Sequence, residues 1–148
     1  MKTEEIMKIL LFIVLLLGSI DDLKNRYIHV TYVYVFFAGA LMQQIFCPEM
    51  GWKSFLGGIA FGLALYVMTL WYEGIMGSGD AFMLGLCGSY LGIINTLVLF
   101  FRAVICAAFF GTLVTAGKII GAERIEEKIE LPFVPFLLCS YLTIVLQE

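Results

Sequence analysis

AFMLGLCGSYLGIINTLVLFFRAVICAAFFGTLVTAGKIIG occupies residues 81–121, and Arg102 and Lys118 are its only charged residues. So long an apolar run suits helices crossing a bilayer, because barrel strands would alternate in polarity. Split at Arg102, it reads as two spans, Ala81–Phe101 and Ala103–Gly121, joined by a very tight turn. Working outward, the runs Ile6–Ile20, Ile28–Phe46 and Ser54–Tyr72 precede it and Leu131–Leu146 follows. The expected fold is all-α, a polytopic membrane protein built as a bundle of six transmembrane helices. It forms one integral-membrane domain over residues 1–148.

Composition agrees. Of the 148 residues, 61% are hydrophobic and 14% charged, where a soluble domain has about 45–50% and about 25%. Six spans of about 18 residues leave about 40 for all loops and tails. That excludes a separate soluble domain and a nucleic-acid module. The net charge of −3 is small and scattered and implies no charged partner, while the apolar composition implies the lipid bilayer. The first run is not read as a signal peptide, since Glu4 and Glu5 spoil a basic n-region and five more runs follow.

Pairs of glycines four residues apart, Gly58 and Gly62, Gly88 and Gly92, Gly117 and Gly121, suit close packing of helices in lipid. Loops after the first, third and fifth spans carry Lys24, Arg26, Lys118, Arg124 and Lys128; the other side carries Lys2, Lys8, Lys53 and Arg102. The denser clusters place the odd loops in the cytoplasm. Cys47, Cys87, Cys106 and Cys139 have no zinc-like spacing, and His29 is the single histidine. The cysteines read as core packing, and no metal or cofactor is expected.

Asp21, Asp22 and Asp80 are the whole supply of aspartate. The first two end span one and Asp80 opens span four, so by parity they meet the same membrane face. Singly, Asp80 after its glycines reads as a helix cap, and Asp21 or Asp22 as the end of a span. Together, two carboxylates at one depth have a chemical use. Adjacent carboxylates share a proton; the ionised one activates water, and the protonated one hydrogen-bonds the carbonyl under attack.

The surrounding residues add a resemblance. Asp22-Leu23-Lys24-Asn25-Arg26-Tyr27-Ile28 resembles the first aspartate motif of the type IV prepilin peptidases, and Gly77-Ser78-Gly79-Asp80 resembles their G-x-G-D motif. Gly88 and Gly92 fall where such proteins often carry glycines, and Pro132-Phe133-Val134-Pro135-Phe136 resembles their Pro-Phe-x-Pro-Phe segment. The resemblance implies a membrane aspartic-type endopeptidase that cuts the leader from prepilins or pseudopilins at the cytoplasmic face. It carries the catalytic roles to Asp22 and Asp80, with Asp21 a neighbour offset by one. Gly77, Gly79, Lys24 and Arg26 become residues that shape the site or meet the substrate, the glycines by permitting positive φ and close backbone approach.

Phe82 departs from the family's usual lysine, and His29 and Val30 stand where Pro-Asn is common. The chain resembles the small, peptidase-only form, with no place for S-adenosylmethionine. The signal-peptide-peptidase group shares G-x-G-D, but its Tyr-Asp and Pro-Ala-Leu motifs are missing. The alternative of another class is a non-catalytic membrane subunit or small transporter, in which the aspartates are structural or bind ions.

Overall fold

A computed structural model describes residues 2–25, 30–46, 51–72, 77–120 and 132–147. These form five helices and, among the described residues, no strand: α1 Lys2–Asn25, α2 Val30–Phe46, α3 Trp52–Trp71, α4 Ser78–Ile120 and α5 Val134–Val145. Each covers most of one of the apolar runs, except that α4 covers most of two.

The break expected at Arg102 is absent. Arg102 is helical, and its guanidinium donates to Thr143 Oγ1 at 3.3 Å and Gln147 Oε1 at 3.0 Å beside α5. The interruption falls instead at Gly92, whose φ of 76° and ψ of 174° leave the helix. The reason is physical: a charge does not break a helical backbone, and arginine is a good helix former. Positive φ does break it, and glycine adopts such a φ without steric cost. Gly92 divides α4 into arms 78–91 and 93–120, so the five elements make six helical segments.

The stretches Trp52–Trp71 and Ser78–Gly117 are long and apolar enough to cross a membrane. Outward faces are correspondingly apolar, with Leu63, Ile94, Ile105 and Phe109 mostly exposed.

The most extensive packing is α3 against α4. A Cβ on Gly58 would run into the backbone of Gly88, and one on Gly62 into that of Gly85. Two small-residue faces therefore let the backbones meet. Of the expected glycine pairs, Gly92 makes the kink, Gly117 faces open space, and Gly121 lies outside the described residues.

Leu11, Leu15, Phe55, Leu84, Leu99 and Leu137 belong to the buried core. Hydrogen bonds tie the helices across it. Tyr90 Oη donates to the Phe36 carbonyl at 2.9 Å, Ser140 Oγ to that of Leu99 at 3.0 Å, and Tyr141 Oη to that of Lys8 at 2.9 Å. Among the cysteines, Cys87 is buried in this core, but Cys106 and Cys139 are exposed on the outer surface, which corrects their reading as core. Helical residues on an outward face stay out of the core however apolar they are, and Cys47 lies outside the described residues.

Candidate active site

Asp22 lies in the last turn of α1 and Asp80 in the first turn of α4. The two carboxylates are close enough for their charges to interact. Successive helical residues are turned by about 100°, so Asp21 and Asp22 project in different directions. The carboxylate that reaches α5 is that of Asp22.

Asp80 is set by the turn before it. The Gly77 carbonyl accepts the N–H of Asp80 at 3.1 Å and of Ala81 at 3.3 Å, opening the helix. The Asp80 carboxylate also folds back onto the Gly77 N–H, the half of a capping box that a glycine N-cap, having no side chain, can share. A Cβ on Gly77 would stand 3.1 Å from Asp80 Oδ2, so close approach is what this glycine supplies. Positive φ is not: Gly92 is the only glycine with positive φ among the described residues, which corrects the expectation for Gly77 and Gly79. Gly79 is already inside α4, where helical bonding fixes φ negative.

Asp22 is set by a different helix. Val134 N–H donates to Asp22 Oδ2 at 3.1 Å, and the Phe133 N–H is a second donor to the same carboxylate. Burial lifts the Asp22 carboxyl above its ordinary value of 3.8, and these two amides pull it part of the way back. Gly18 lies one turn earlier on α1, on the same face. A Cβ there would meet Met83 Cε at 2.7 Å and Val134 Cγ1 at 3.4 Å. Its missing side chain thus lets α4 and α5 close on α1 beside Asp22.

Lys24 is exposed in the last turn of α1, where a cation suits the helix C-terminus, and is not drawn into the pair. Arg26 and His29 lie outside the described residues. Phe82 packs against Tyr66, with ring centroids 4.7 Å apart and planes tilted by 41°, and lines an apolar cavity of about 180 Å³ between α2, α3 and α4. That cavity begins at Ala81, next to Asp80. The α5 amides were not among the expected site groups, although the two prolines of Pro132–Phe136 were a signal. Each proline removes an N–H and so singles out those that remain.

Two carboxylates that interact, each hydrogen-bonded to backbone and placed on rigid helices, are equipped to share a proton and to act as acid and base on one water. A family model for the type IV leader peptidase family matches residues 9–112. The match contains both aspartates and ends before α5. No curated protein and no solved structure matches the chain.

Proposed function

Because the chain belongs to the type IV leader peptidase family, a family of proteases acting on prepilin-type substrates, we propose that Asp22 and Asp80 are the catalytic pair of an aspartic-type endopeptidase. The observation that carries this reading is the packing of α1 on α4, with Met83 of α4 against Gly18 of α1, which sets the helix end bearing Asp22 beside the helix start bearing Asp80. The ionised member takes a proton from a water, whose oxygen bonds to the carbonyl carbon of the scissile peptide. The protonated member donates to the carbonyl oxygen as charge develops there. As the tetrahedral species collapses, the C–N bond breaks and the leaving nitrogen takes the proton that came from water. Carboxyl and amine termini result, and the pair returns to its singly protonated state.

The substrate is a prepilin or pseudopilin whose basic leader stays in the cytoplasm and whose apolar segment enters the membrane. The basic loops around Lys24, Arg26, Lys118, Arg124 and Lys128 support a cytoplasmic site. The apolar outer faces and the two long apolar helices support a multi-pass position in the cell membrane.

The test is cleavage of a prepilin-like peptide by purified protein in detergent. Wild type should cut ahead of the apolar segment, and Asp22→Asn and Asp80→Asn should not. Wild-type cleavage by both variants would overturn the proposal.

A further inference from the structure

The first turn of α5 leaves few backbone donors unsatisfied. Helix N-termini expose N–H groups that the helix itself cannot pair. Here Pro132 and Pro135 have none to offer, and Phe136 N–H already reaches the Phe133 carbonyl at 3.0 Å. Phe133 and Val134 remain, and α5 has no side-chain cap of its own. Both amides go to Asp22, which caps α5 from another helix.

This contact is held from both sides. Tyr141 ties α5 to the Lys8 carbonyl of α1, and Ser140 and Arg102 tie it to α4. Val134 is fully buried against the space left by Gly18. The amides are therefore fixed before any substrate arrives.

We infer that the Phe133–Val134 turn of α5 is a positioning element that orients Asp22 and holds it as the ionised member of the catalytic pair. It touches Asp22, not the substrate, and the inference rests on the aspartyl proposal above. Two N–H donors at the positive end of a helix favour a carboxylate over a carboxylic acid. Asp80 receives the single amide of Gly77 and thus keeps the shared proton. Few other charges compete. α2 and α5 carry no charged side chain, α4 brings Asp80, and α1 itself has Asp21 and Lys24 as neighbours of Asp22.

The experiment replaces Val134 by its α-hydroxy acid, which turns one N–H into an ester oxygen and leaves the side chain in place. Peptide cleavage across pH should show the acid limb moved up by about one unit. The value of kcat should fall about tenfold at unchanged KM, as expected for a misaligned base. An ester protein that cleaves with an unmoved acid limb overturns the inference and leaves the aspartyl proposal standing. Thermal unfolding needs no substrate and separates the two. The ester should lower the melting temperature by about 4 °C at pH 7, less at pH 3, and not at all in an Asp22→Ala background, where no side-chain acceptor is left. Equal losses in all three would overturn the inference, whatever the outcome of the cleavage assay.

Discussion

Asp22 and Asp80 occupy opposite kinds of helix end, the last turn of α1 and the first turn of α4, yet both accept backbone N–H groups. Asp22→Ala and Asp80→Ala should each reduce cleavage by at least about a thousandfold, since either change removes half of one proton-sharing unit. Asp21→Ala should retain substantial activity. An essential Asp21 with a dispensable Asp22 would move the site to the wrong face of α1. The pH profile should be bell-shaped, with apparent values that belong to the pair. On the acid side the base is lost by protonation, and burial of Asp22 sets this limb above 3.8. On the alkaline side the donor is lost. For stability the sign is the reverse of a salt-bridged carboxylate. Below 3.8 Asp22 is neutral whether the chain is folded or unfolded; as pH rises through its folded value, ionisation costs stability. Asp22→Asn should therefore unfold no earlier than wild type at pH 7, which a melting curve checks.

At the scale of elements, glycine has three different uses that one spacing rule does not separate. Gly58 and Gly88 are in backbone contact, so Gly58→Ala should destabilise by about 1–3 kcal/mol. Gly92 is held at a φ of 76° and a ψ of 174°, so Gly92→Ala should cost about 1–3 kcal/mol through backbone strain. Gly117 faces open space within a helix, and Gly117→Ala should be neutral or slightly stabilising. Thermal unfolding of the three variants in one detergent checks this order. A loss at Gly117 equal to that at Gly58 would mean a packed surface where the structure has an open one. The same local patterns misplaced the interruption of α4, because Arg102 marks polarity and Gly92 marks backbone geometry.

For the whole molecule, the proposed chemistry draws acid and base from two carboxylates alone. Turnover should persist in excess chelator and after alkylation of the exposed thiols Cys106 and Cys139. Replacing every cysteine by alanine should cost about 1 kcal/mol at buried Cys87 and little elsewhere. Loss of activity that added zinc restores would contradict the aspartyl reading.

The helical, apolar character of this chain, and the place of Asp22 at the end of one helix and of Asp80 at the start of another, were legible in sequence. Composition and run length are additive along the chain and need no knowledge of contacts. The capping of Asp22 by α5 was not legible as a contact, although the prolines that prepare it were. Asp22 and Val134 are 112 residues apart, and only the closing of α5 onto α1 at Gly18 brings that amide to the carboxylate. The kink was likewise decided in three dimensions. Gly58, Gly62, Gly85, Gly88 and Gly92 look alike in sequence, and which of them meets a neighbouring backbone and which turns the chain depends on how α3 and α4 cross. A glycine's chemistry is local, but its use is set by what stands opposite it.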